Sequence, residues 1–143
     1  MTRAAHVMTL HPVVIPSTAT AAEAGERMRS ARLRHLPVVD HGGALVGILS
    51  DRDLRGPIIG GAGPVPAPDA LVAMLMTRDV ATAGPDDELG TVARAMVERR
   101  VGAIPIVDGD GRPIGIVSFV DVLRRLADEA DQDARALEAI DGV

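Results

Sequence analysis

Residues 7–55 align on residues 75–123 at a constant offset of 68, without a gap. Met8, Thr9, Met28, Arg32, Pro37, Val39, Asp40, Gly43, Gly47, Ile48, Ser50 and Asp53 all recur, so 12 of the 49 aligned positions are identical. Unrelated segments of ordinary composition would share about three. The densest stretch, LPVVDHGGALVGILSDRD, answers to IPIVDGDGRPIGIVSFVD. Two copies are too few to build a solenoid, which needs at least about three stacked units. The pattern therefore predicts two similar halves sharing one core, with a ligand cleft between them.

Periodicity orders the elements within each copy. Pro12–Ile15 and Asp79–Ala83 are short extended segments. Leu89, Val92, Ala93, Met96 and Val97 follow the spacing of one buried helical face. Ala21, Ala24 and Met28 keep that face in the first copy, where Thr20 and Glu23 have capping-box spacing. Two strands come next, Leu36–Asp40 with Ala44–Leu49 and Ile104–Asp108 with Pro113–Val117. Gly43 and Gly111, at matching places in the connecting turns, suit a positive φ. Helices then begin at Ser50 and Ser118. The expected fold is α/β (α+β), a β-α-β-β-α unit given twice as one compact module.

The first repeat is placed at 7–58 and the second at 74–127. The connector between them, 59–73, is rich in Gly and Pro, and its end, with ALVAML, suits a short helix. Residues 128–143 form an acidic C-terminal helix or tail, expected to fray or extend into solvent.

Composition narrows the function classes. The 143 residues contain no cysteine and no lysine, so all 15 basic residues are arginine. Disulfides, thiolate chemistry, a phosphate-loop lysine and Schiff bases are excluded. Phe119 is the sole aromatic residue, which leaves no stacking platform for nucleobases, and the net charge of −5 disfavours nucleic acid. With no apolar run of spanning length and no leader pattern, a cytoplasmic setting without membrane contact is expected.

The succession of a Met-Thr start, an h-P-V-V-D strand, a glycine turn and G-h-h-S-x-x-D resembles the CBS domain. The two copies together resemble a CBS pair, or Bateman module, over about residues 7–126. GILSDRDL and GIVSFVDVL carry the resemblance most specifically. The resemblance implies a regulatory module with no chemistry and no required cofactor of its own. Its ligand would be an adenine nucleotide (AMP, ADP or ATP) held in clefts between the repeats.

Physical chemistry gives the motif two uses. Ser50 and Ser118 stand where a strand meets a helix, as natural N-caps, and a helix start offers free N–H groups to a phosphate. Asp53 and Asp121, three residues on, can accept from both hydroxyls of a ribose. The same S-x-x-D spacing also makes a capping box that stabilises the helix with no ligand at all.

By resemblance, the cleft holding Ser118 and Asp121 would also use Ile116, His11, Pro16 and the backbone at Leu33 and Arg34. The opposite cleft would use Ser50, Asp53, Ile48, Asp79, Gly84 and the backbone at Val101 and Gly102. Arg34 and His35 stand where related proteins place basic phosphate contacts, and the second copy has Gly102 and Ala103 there. The two sites are therefore unequal.

The remaining candidates have plainer readings. His6, His11, His35 and His41 lack metal-ligand spacing, so no metal site is expected. Arg27, Arg29, Arg32 and Arg34 form a basic run of the kind usually found on a solvated face. Met8, Met28, Met74, Met76 and Met96 suit gap-filling in a core. Phe119 suits either a buried place or the flank of a cleft. No spacing sets a base beside a nucleophile, so an enzyme is not expected.

The apolar helices favour a homodimer through a shared face, and a separate regulated protein is the implied partner. The alternatives are an interaction module with degenerate ligand sites, or another adenosyl ligand such as S-adenosylmethionine in the same clefts.

Overall fold

A computed structural model describes residues 1–55 and 68–141. Most of the connector expected at 59–73, and the end of the first repeat at 56–58, lie outside the described residues. So do the last two residues of the tail.

Each repeat supplies one tight β-hairpin. In the first, β3 (His35–Val39) pairs antiparallel with β4 (Leu45–Ser50). In the second, β5 (Ala103–Val107) pairs the same way with β6 (Pro113–Ser118). Gly43 and Gly111 take φ of +88° and +78° in the two turns, a region that a Cβ disfavours. Asp40 and Asp108 close the turns, their Oδ1 atoms accepting from the backbone N–H groups of Gly42 and Ala44, and of Asp110 and Arg112. The amphipathic helices α2 (Ala21–Ala31) and α5 (Leu89–Arg99) pack on these hairpins. Glu23 N–H donates to Thr20 Oγ1 at 3.2 Å, so Thr20 caps α2 as its spacing predicts. Both helices stop at an arginine in the left-handed conformation, Arg32 and Arg100.

The short elements preceding each repeat cross to the other half. β1 (Thr9–Leu10) does not join the hairpin of its own repeat but pairs antiparallel with β6 of the second. Thr77, its counterpart 68 residues on, bridges to Ile48 of the first. The first copy completes its own sheet with β2 (Ile15–Pro16), parallel to β3, and Ala83 bridges to Ile106 in the same manner. Two sheets result, each closed at one edge by the other repeat. The extended segments are thus shorter than expected: Pro12–Ile15 yields strand only from Ile15, and Asp79–Ala83 only the bridge at Ala83.

The exchange includes the short helices α1 (Ala4–Val7) and α4 (Val72–Leu75). Ala4 N–H donates to Asp87 C=O and Val72 N–H to Ala19 C=O, both at 2.8 Å. The single shared core expected from the repeat is replaced by two, because each hairpin packs its apolar face on its own helix. One core gathers Ile15, Met28, Leu36, Val38 and Leu49 of the first repeat around Val72. The other gathers Val92, Met96, Ile104, Ile106 and Val117 of the second around Ala4. Met8 lies across Gly115 and Met76 across Gly47, so closely that an added Cβ would stand 2.5 Å from either sulfur.

Helix α3 (Asp51–Arg55) and helix α6 (Phe119–Asp141) follow the hairpins. At 23 residues α6 is about 34 Å long, and every position from Leu126 to Ile140 is exposed. The acidic tail therefore continues as helix in solvent. Two positions expected in the core are outside it: Val97 is 77% and Met74 78% exposed. Val97 follows Met96 at the rim of the α5 stripe, and Met74 points away on a helix one turn long.

The crossing predicts a sharp steric test. Gly47→Ala and Gly115→Ala should each destabilise the fold by about 1–3 kcal/mol, the usual cost of overpacking, read as a lowered urea midpoint. At Gly47 the Thr77 carbonyl, 3.0 Å from the added carbon, is backbone and cannot swing aside as the methionine can.

Candidate functional site

The hairpin register carries the end of β4 to the start of β3, because His35 pairs with Ser50. Asp51 N–H donates to Arg34 C=O at 2.8 Å, which ties the α3 start to the residue before the strand. The second repeat repeats the device, with Ala103 opposite Ser118 and Phe119 N–H donating to Gly102 C=O at 3.0 Å. Both S-x-x-D motifs form the capping box. Ser50 N–H donates to Asp53 Oδ2 at 2.8 Å and Asp53 N–H to Ser50 Oγ at 3.1 Å. Ser118 N–H donates to Asp121 Oδ2 at 2.8 Å and Asp121 N–H to Ser118 Oγ at 3.3 Å. Among the described residues no donor reaches Oδ1 of either aspartate, so each carboxylate keeps one oxygen for another partner.

A cleft of about 330 Å³ opens between the repeats beside the first of these motifs. Ile48, Ser50 and Asp53 form one wall, and the second repeat contributes Asp79, Val101 and Gly102, all named for this cleft from sequence. Gly84, expected with them, is not part of the lining. Its N–H donates to Asp87 Oδ2 at 2.8 Å in the loop before α5. Arg34 and His35 line this cleft, whereas the Arg34 backbone was expected on the Ser118 side. The register explains the difference: an antiparallel hairpin brings the first residue of β3 beside the last of β4 in the same repeat.

The other expected residues do not come together in this cleft. β1 pairing puts Thr9 opposite Ile116, and His11, at φ +53°, follows with its N–H donating to Ile114 C=O. Pro16 lies in β2 opposite Val39. Leu33 turns to a groove between α2 and α3.

Arg52, which from sequence could pair with Asp51 as easily as with phosphate, lines the cleft, and sequence reasoning missed Arg99, Arg100 and Thr77, which line it too. The arginine pair just before Val101-Gly102 was the available signal, since the chain must turn into the cleft at that helix exit. Phe119, half exposed, takes the flanking place rather than the buried one.

Charge in the cleft is only partly compensated. Arg99 donates to Asp79 C=O at 2.8 Å and pairs with its carboxylate at 3.3 Å. Asp51 pairs with Arg55 at 2.7 Å. Burial in the wall is the main reason the His35 imidazolium is disfavoured and its pKa lowered. Asp51 and Asp53 oppose that shift, and Arg34 and Arg52 reinforce it. Among the described residues no group of three His, Asp or Glu side chains could hold a metal, and no helix is long and apolar enough to cross a membrane.

A depressed histidine pKa means that the folded chain binds fewer protons than the unfolded one below pH 6.5. The His35 contribution to stability is therefore complete above pH 6.5 and is lost as pH falls through the folded value. Urea midpoints at pH 7.5 and 5.5 should show the parent protein losing more stability on acidification than His35→Gln. An equal loss would show that His35 does not carry this dependence.

Known proteins share this arrangement. A family model described as the CBS domain matches twice, at residues 4–60 and 72–128. A homoserine O-acetyltransferase of Methanococcoides burtonii is 35% identical over 123 residues, 86% of this chain. The chain spans only 24% of that relative's length, and about a fifth of several other curated relatives. A CBS domain pair solved with 5′-methylthioadenosine and S-adenosyl-L-methionine superimposes with a TM-score of 0.80 and 27% identity, covering 90% of this chain and 98% of that one. The cytosolic domain of the Mg²⁺ channel MgtE, solved with ATP, gives a TM-score of 0.73 and 32% identity, covering 85% of this chain and 48% of that one.

Proposed function

The chain belongs to the CBS domain family as a tandem pair, and from that premise we propose that it is a regulatory module that binds an adenine nucleotide between its repeats. The observation that carries this reading is the free oxygen of Asp53, held by its capping box at the mouth of a cleft whose other wall comes from the second repeat. A ligand seated there touches both halves. It can bias their arrangement in proportion to its differential affinity for two states. Ribose would be accepted by the carboxylate, and adenine by aliphatic walls such as Ile48 and Val101. The solved relatives with ATP and with adenosyl ligands support the same class.

Binding rather than catalysis suits the site. Both serines serve as helix caps, and among the described residues no histidine is hydrogen-bonded to either. The reading extends to a cytoplasmic homodimer acting on a separate protein. The exposed apolar residues Val97, Phe119, Leu123 and Leu126 on α5 and α6 support a shared helical face.

Two measurements test these statements. A thermal-shift panel of AMP, ADP, ATP, adenosine, GTP and S-adenosylmethionine should show stabilisation by adenine ligands and none by GTP. A ligand at 100 times its Kd contributes about 2.7 kcal/mol. Asp53→Ala should weaken the response, and a chain unmoved by every ligand would leave the interaction-module reading. Light scattering should give about twice the 14.9 kDa chain mass, and a monomer would remove the dimer.

A further inference from the structure

We propose that the ligand of the Ser50–Asp53 cleft is a nucleotide carrying two or three phosphates, bound once per chain, and that the Ser118–Asp121 side takes no phosphate-bearing ligand. This rests on the nucleotide-binding reading and sharpens it. The argument is one of unpaired charge. Of the four arginines on the cleft, Arg99 is engaged by Asp79, while the side chains of Arg34, Arg52 and Arg100 make no hydrogen bond or ion pair among the described residues. Asp51 and Asp79 are both occupied by arginines, which leaves Asp53 as the one carboxylate without an arginine partner. Three free guanidiniums thus face one carboxylate in a chain whose net charge is −5.

Guanidinium binds phosphate oxygens through paired N–H donors. A monophosphate offers one such group to three arginines, whereas a di- or triphosphate offers several. Asp53 repels that end of the ligand and is suited to the ribose, so the two ends are sorted by charge within one cleft.

The offset of 68 allows the same positions to be read on the other side. Arg52 becomes Val120 and Arg99 becomes Ala31, Arg100 keeps an arginine counterpart in Arg32, and Arg34 and its counterpart Gly102 both line the first cleft. At Gly102 itself a Cβ would stand 3.4 Å from His35 Cε1 and 3.5 Å from Phe119 Cδ1, so a side chain as long as that of Arg34 has little room at the counterpart position. Asp121 retains its cap and its free oxygen, but Arg52 and Arg99 have no arginine counterpart on its side to attract a polyphosphate.

Isothermal titration of the full chain with ATP, AMP and adenosine tests the proposal. ATP should bind once per chain, and tighter than adenosine by about tenfold or more, as one to two charge-assisted hydrogen bonds imply. Arg34→Ala combined with Arg52→Ala should remove most of that preference while leaving adenosine affinity within about threefold. The corresponding lysine pair should restore part of it, and a melting curve of each variant checks its fold. Two equivalent ATP sites per chain, ATP no tighter than adenosine, or equal losses for both ligands in the alanine pair would overturn the inference while leaving nucleotide binding intact. No binding of any adenine ligand would overturn both.

Discussion

The reciprocal crossing of the two Met-Thr segments is the contact on which the rest of the structure depends. Met8 lies over Gly115 and Met76 over Gly47, and only glycine gives the backbone room for that approach. Each crossing closes the edge of the other repeat's sheet and plugs its core with a short helix. Neither repeat can bury its apolar face without the other. The cleft follows from the same exchange, because Thr77 and Asp79 reach the first repeat's motif only by being carried across with it.

Capping and the proposed ligand recognition draw on the same carboxylate. Oδ2 of Asp53 receives the Ser50 N–H and holds the helix start in place, while Oδ1 has no donor among the described residues. A carboxylate fixed by its own helix has little side-chain entropy left to lose on meeting a hydroxyl pair. The motif is retained in both copies, since each copy needs its helix start whether or not a ligand binds beside it.

Around this conserved frame the copies have diverged in charge. Arginines gather beside the Ser50–Asp53 motif, and the counterparts of Arg34, Arg52 and Arg99 in the other copy are Gly102, Val120 and Ala31. His35 connects the two repeats, its ring close to Gly102 while burial lowers its pKa against the opposing pull of Asp51 and Asp53. Helix α6 is a second departure from symmetry, running to Asp141 where the family match stops at 128.

The repeat, the hairpins, the glycine turns, the two caps and the buried stripe of Ala21, Ala24 and Met28 were all legible in the sequence, because each rests on local geometry acting over a few residues. So was part of the set around Ser50 and Asp53, through the family pattern: Ile48, Asp79, Val101 and Gly102 line the cleft with them. The sequence alone could not show that β1 leaves its own repeat, since a two-residue strand has no periodicity to read and its partner lies more than 100 residues away. Nor could it assign Arg34 to its cleft or bring Arg99 and Arg100 there, because that depends on hairpin register and on the angle at which α5 ends. Local pattern determined the elements and their chemistry. Tertiary packing decided which copy each element serves, because a half-buried sheet edge is satisfied by whichever strand can reach it.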